Sequence, residues 1–194
     1  MKSLLSLIFF VLSLGVFSSP VVGQEPVETE LMPRTKLEAF QAMKGIVIIK
    51  GFSRIGVAAG LDGTSIEVET RELRDAGSNS KEYGITIEVR EAGNAGRRSL
   101  SYIDYEELDP LLKGLEYLSK IDNSVTQLTR FEADYRTRGD LLFSVSSGRG
   151  GIITMAISSG AFRRATSVFR LEDLKGIRGL IIEAKNQLDA IQQK

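Results

Sequence analysis

Two arginine pairs are the side chains best placed for chemistry in this chain. Arg97-Arg98 and Arg163-Arg164 stand 66 residues apart, and each opens the same pattern, running to Leu108 in one copy and to Leu174 in the other. Paired guanidinium groups hold phosphate or carboxylate through forked hydrogen bonds. Arg97, Arg98, Arg163 and Arg164 are therefore the anionic contact of this protein if it has one, with Arg136, Arg138 and Arg149 in nearby turns. The same charges also serve to guard exposed strand edges against sideways pairing, and that plainer role is the one expected of them.

The densest carboxylate group is Asp104, Glu106, Glu107 and Asp109. A calcium loop alternates its ligands about a central glycine, and this run does neither. Asp109-Pro110 reads instead as an N-cap followed by proline at the first helical position, with acidic side chains at the positive end of a helix dipole. Ser146-Ser147-Gly148-Arg149-Gly150-Gly151 has the glycines to cradle an anion. No Gly-Lys-Ser/Thr follows, and its flanks alternate like paired strands, so it is expected to be a hairpin turn. Asp62-Gly63 and Arg138-Gly139-Asp140 read as turns as well.

The 194 residues include no cysteine and no histidine. That excludes thiol nucleophiles, imidazole-based triads, and zinc or copper sites built from those ligands. Lysine, tyrosine, arginine and carboxylate chemistry survives, but Lys44 and Lys50 sit in no hydrolase signature. The expectation is a non-enzymatic chain with no catalytic residue, no cofactor and no metal ligand.

The elements that position these groups follow from periodicity. Leu37, Phe40 and Met43 suggest a short helix over 35–43; Ile46 to Phe52 reads as a strand; Ile66 and Val68 alternate with Glu67 and Glu69; Ile85, Ile87 and Val89 face one way along a third strand. The pattern from Arg97 makes a fourth, and Leu108, Leu111, Leu115 and Leu118 then recur at helical spacing. The second half repeats the order, with strands at 128–137, 141–146, 152–157 and 163–170 and a helix carrying Leu174, Ile177, Ile181, Ala184, Leu188 and Ile191. A spacing of 66 holds from the fourth strand through the helix. Upstream, Gly84-Ile85 aligns with Gly151-Ile152 if the second hairpin is one residue shorter. The fold class implied is α+β: two tandem ββββα repeats, about 44–122 and 126–192, forming antiparallel sheets each covered by a helix, in a single domain over 35–194.

Met1-Lys2, the apolar run from Leu4 to Phe17 and the small residues Val21-Val22-Gly23 read as a signal peptide over 1–23. The run is interrupted by Ser6, Ser13 and Gly15 and falls short of the roughly 20 apolar residues of a spanning helix. Gln24 follows the expected cleavage point, where a lipoprotein would carry cysteine. Residues 24–34 read as an acidic, proline-containing leader. With 25 basic and 25 acidic side chains in all, the charge gives no general argument for nucleic acid or membrane. The chain is expected to be exported, periplasmic or secreted, and not an integral membrane protein after cleavage.

The segment from about Thr35 to Ile191, with Ser101-Tyr102-Ile103-Asp104-Tyr105, the run from Phe131 to Asp140, and Leu171-Glu172-Asp173-Leu174, resembles a family of small exported bacterial proteins, a resemblance that brings no functional residues with it. In topology alone, two ββββα units resemble the Whirly and PUR-type domains, which bind single-stranded nucleic acid. The leading expectation is an exported interaction module of unknown ligand. Single-stranded nucleic-acid or polyanion binding on a Whirly-like sheet face, and small-ligand binding or hydrolysis without His or Cys, are the alternatives. Aromatic residues interleaved with arginines on one sheet face would favour the polyanion alternative.

Overall fold

The computed structural model describes residues 32–93, 96–160 and 164–193. The expected signal segment, the leader before residue 32, and Arg163 lie outside the described residues. A short helix, α1 (Lys36–Gln41), precedes β1 (Ile48–Ala59), β2 (Ser65–Asp75), β3 (Lys81–Arg90), β4 (Arg98–Asp104) and helix α2 (Leu108–Leu118). Then come β5 (Glu132–Arg136), β6 (Leu142–Ser147), β7 (Ile153–Ser159), β8 (Ala165–Arg170) and helix α3 (Leu174–Gln192). Each set of four strands forms an antiparallel sheet in sequence order. The fold is α+β with two ββββ units and their helices, as the periodicity implies.

The duplication is visible in the register. The one-turn 3-10 segments Tyr105–Glu107 and Leu171–Asp173, and the helix starts Leu108 and Leu174, keep the spacing of 66. Across the strands, Gly56, Val68, Ile87 and Ser101 form one lateral row, and Tyr135, Phe143, Ile157 and Ser167 form its counterpart.

These rows correct the expected alignment. Asp104 pairs with Gly84, and its counterpart Arg170 pairs with Thr154. The spacing is thus 66 in the fourth strand but 70 in the third, and the second hairpin is four residues shorter rather than one. Sliding β7 by three would set buried Ile85 against the exposed Ile152, because an odd shift turns every side chain to the other face; the observed register matches Ile85 to Met155, both fully buried.

Two boundaries also differ from expectation. The fifth strand begins at Glu132, and Leu128, which the apolar pattern placed in it, is 75% exposed in the preceding turns. Helix α2 begins at Leu108 with Glu107 at its N-cap, so Asp109 and Pro110 are the second and third helical residues. Proline is tolerated there because the first-turn amides have no carbonyl partner inside the helix.

One continuous core joins the repeats, with Ile66, Ile87, Leu111, Phe143, Ile157 and Ile181 among its buried members. The helices reach it by exchange. Helix α3, at the end of the second repeat, lies across β1, β2 and β3, whereas α2, at the end of the first, packs against β5 and α3. Two tight contacts fix the exchange. A Cβ on Gly56 would fall 2.7 Å from Leu180 of α3, and a Cβ on Gly114 of α2 would fall 2.3 Å from the Tyr135 ring. Gly56 and Tyr135 are counterparts, as are Gly114 and Leu180. One contact sets glycine on the strand and a large residue on the helix; the other reverses them.

The outer face of the first sheet carries α1. Thr35 and Glu38 close a capping box, and Leu37 and Phe40 pack on Leu73 with Ile48 and Tyr102 alongside. This two-turn helix is too short to persist alone. It is held by Asp104 at the end of β4, whose carboxylate accepts from the Lys36 and Leu37 amides at 2.9 and 3.1 Å.

Candidate functional site

The three described arginines of the two pairs differ in what answers them. Arg97 is exposed and bound to Glu91 in its own hairpin, Nε at 2.9 Å and a terminal nitrogen at 2.8 Å. Those contacts, with the Thr166 amide on the same carboxylate, hold Glu91 below the ordinary carboxylate range despite its desolvation. Arg164 is half-buried and donates from Nε to the Gly160 carbonyl at 3.4 Å. Arg163 lies outside the described residues. Arg98, at the start of β4, is exposed and has no acceptor among the described residues.

Arg98 lines a polar hollow of about 450 Å³ with Ser65, Arg90, Glu91 and three glycines, 63, 93 and 96. Behind it, the outer face of the first sheet is a ladder of opposite charges. Glu67, only 9% exposed, bonds both Arg54 and Arg90; Glu88 meets Arg90 at 2.7 Å; Glu69 meets Arg71, whose guanidinium lies 5.1 Å from the Phe52 ring centroid. An aromatic residue does interleave with arginines here, but each of those arginines is already neutralised.

The acidic run works as a clasp rather than a metal site. Asp104 caps α1. Glu106 pairs with Lys36 at 2.6 Å and lies 3.7 Å from Arg138, contacts that hold its carboxyl below the ordinary range. Glu107 is 7% exposed and accepts from the Arg138 amide at 2.7 Å, while its other oxygen has no partner. Burial pushes the Glu107 carboxyl above the ordinary range. No group of three or more metal-capable side chains is assembled among the described residues.

The Arg138-Gly139-Asp140 tripeptide is locked in this clasp. Gly139 is buried, with its Cβ position 2.0 Å from the Tyr102 carbonyl oxygen, and Asp140 binds Arg136 and Arg34 at 2.6 and 3.1 Å. Arg149-Gly150-Gly151 forms the β6–β7 turn, with Gly150 and Gly151 at φ of 74° and 77°. Lys50 donates to Gln41 at 3.0 Å.

One cluster escaped the sequence reading. Tyr105 donates to Asp189 at 2.5 Å, Lys185 donates to Asp189 at 3.0 Å, and Asp109 stands 3.8 Å from Lys185. Tyrosine, lysine and two carboxylates resemble acid–base machinery. Asp189 raises both Tyr105 and Lys185 above their ordinary values, so each is held protonated at neutral pH, the reverse of what a general base or nucleophile requires. The cluster ties the start of α2 to the end of α3. Apolar spacing located the two helices but gave no sign that they would bring these polar side chains together.

The outer face of the second sheet differs from that of the first. Ser144, Ser146, Thr154, Ala156 and Thr166 form its half-buried middle and Val168 is exposed, with Glu132, Asp134, Arg136 and Arg170 exposed around them. Ser144 bonds Glu132 at 3.0 Å and Ser158 bonds Thr166 at 2.9 Å. Comparison with protein-family models, curated proteins and solved structures finds no match.

Proposed function

We propose that this chain is an exported, non-enzymatic binding module that takes a protein partner on the outer face of its second sheet. The observation that carries this reading is the inequality of the two outer faces. The first is occupied by α1 at one end and by paired charges across its middle. The second presents an uncharged, hydroxyl-rich centre inside a charged rim. Protein interfaces keep charge at the rim and out of the centre, and serine side chains supply hydrogen bonds that adapt to a partner.

Polyanion binding is less well supported, because stacking platforms combine aromatic faces with unpaired positive charge. The arginines beside the Phe52 ring are paired, Arg98 at the far end of that face has no aromatic neighbour among the described residues, and the centre of the second face has neither arginine nor aromatic. Export rests on the composition of residues 1–23, and among the described residues no helix is long and apolar enough to cross a membrane.

The test is a photo-activated cross-linking residue placed at Ala156, on the second sheet's outer face, or at Glu88, on the first. Cells exporting the chain should give a discrete protein adduct from position 156 and none from 88. Adducts from 88 alone, or none from 156, would overturn the proposal.

A further inference from the structure

Ser65, Arg90 and Arg98 stand side by side across β2, β3 and β4, at the end of the first sheet's outer face. Directly opposed residues on neighbouring strands have Cβ atoms about 4.5–5.5 Å apart, and like charges placed so repel unless an opposite charge lies between them. Arg90 has Glu67 and Glu88. Arg98 has no acceptor, and the Ser65 hydroxyl has no hydrogen-bond partner among the described residues.

The other repeat shows how such an arginine is satisfied when no site is needed. Arg164, the counterpart of Arg98, turns back onto the Gly160 carbonyl of its own short hairpin. The hairpin before Arg98 is four residues longer, as the strand registers show. Beside it opens the polar hollow, floored by glycines of two turns, with Gly63 and Gly93 at positive φ of 76° and 84°. Glu91 also faces the hollow, but its oxygens are taken by Arg97 and the Thr166 amide. At about 450 Å³ the space has the size of a small-molecule site.

We propose that this hollow binds a small oxyanion, a carboxylate or phosphate held in a bidentate grip by Arg98, between Arg98 and Arg90, with the Ser65 hydroxyl as a further donor. The site is separate from the protein-docking face, and either can fail without the other. Guanidinium matches carboxylate and phosphate geometry in a way that ammonium does not, so the grip depends on arginine at position 98.

The test is a titration of the folded chain with inorganic phosphate and, separately, citrate at pH 7, followed by amide NMR, with sodium chloride at matched ionic strength as the control for screening. The expected result is a saturable shift of the Ser65, Gly63, Gly93 and Gly96 signals for at least one anion, with a midpoint at or below about 1 mM. Arg98→Ala should weaken it at least about tenfold and Arg98→Lys should restore it only in part, because lysine supplies charge without the fork. Arg164→Ala should leave it unchanged. Arg98→Gln serves as a neutral variant if Arg98→Ala perturbs the fold. No saturable shift with either anion, shifts that sodium chloride reproduces, or shifts that survive removal of Arg98 would each overturn the proposal.

Discussion

Asp104 and Arg170 hold the same place in the two repeats, at the end of the fourth strand and just before the one-turn segment that leads into a helix. Asp104 is 1% exposed and fastens α1 over the first sheet, through a chain separation of 68 residues. Arg170 is exposed, its amide bonded to Asp173 at 3.0 Å and its side chain 3.7 Å from Glu172. A carboxylate at this position captures the free amides of an incoming helix start; a guanidinium repels them. The two junctions thus differ in what they can hold: Asp104 fastens α1 over the first sheet, and no counterpart of α1 stands between α2 and β5 among the described residues. The two repeats share a scaffold, and divergence at their junctions makes the outer faces unequal.

The largest expected effect comes from removing that difference. Asp104→Ala strips two charge-assisted hydrogen bonds from a buried site and should destabilise the protein by about 3 kcal/mol, whereas Arg170→Ala should stay within about 0.5 kcal/mol. Urea unfolding of the two variants compares them directly, and equal losses would mean that the junctions are not distinguished by the α1 cap.

Glycines sharpen the comparison of the helices. Gly114→Ala forces a methyl into the Tyr135 ring and should cost about 2 kcal/mol, while Gly176→Ala and Gly179→Ala, where nothing lies within 4 Å, should each stabilise α3 by up to about 1 kcal/mol. Thermal unfolding should separate them in sign, and stabilisation by Gly114→Ala would remove α2 from its place against β5.

A smaller effect tests the seam between the repeats. Ser101 bonds Ser159 at 2.7 Å. The matching pair is Ser167 and Val89, on strands β8 and β3 that touch, and valine offers no oxygen. That explains why the buried Ser167 hydroxyl has no partner. Ser101→Ala should therefore cost about 1 kcal/mol while Ser167→Ala is neutral or slightly stabilising, and denaturant midpoints that fall equally would break the correspondence.

The smallest effect is pH-dependent. Burial raises the Glu107 carboxyl in the folded state. Its stabilising share is therefore complete below its unfolded value of about 4.3 and is lost as pH rises through the higher folded value. Glu107→Gln keeps an acceptor for the Arg138 amide and abolishes this loss. It should equal the parent near pH 4 and exceed it by less than about 1 kcal/mol at pH 7, measured by urea midpoints at both pH values.

Much of this was legible beforehand. The repeated pattern, the strand and helix order, and the start of α3 at Leu174 follow from apolar spacing, because burial imposes periods of two and 3.6 on any chain. The hairpin difference of four was hidden: a loop gap leaves no mark on the strands except through facing, which needs a partner strand to be read. An amphipathic stripe such as Leu174 to Leu188 says that a sheet will cover it and is silent on which sheet. By sequence Asp104 reads as part of a helix start, and it caps a different helix, a contact made only by tertiary folding. Spacing picks out the four arginines; Arg163 lies outside the described residues, Arg97 is answered by Glu91 and Arg164 by its own turn, and Arg98 has no acceptor among the described residues.

The exchange of helices is what joins the two repeats around one core, and nuclear Overhauser contacts in the folded protein test it most directly. The Tyr135 ring should show contacts to the Gly114 α protons, and the Leu180 methyls to the Gly56 α protons. Contacts from the Tyr135 ring to the Leu180 methyls, with each helix lying on the sheet of its own repeat, would contradict it.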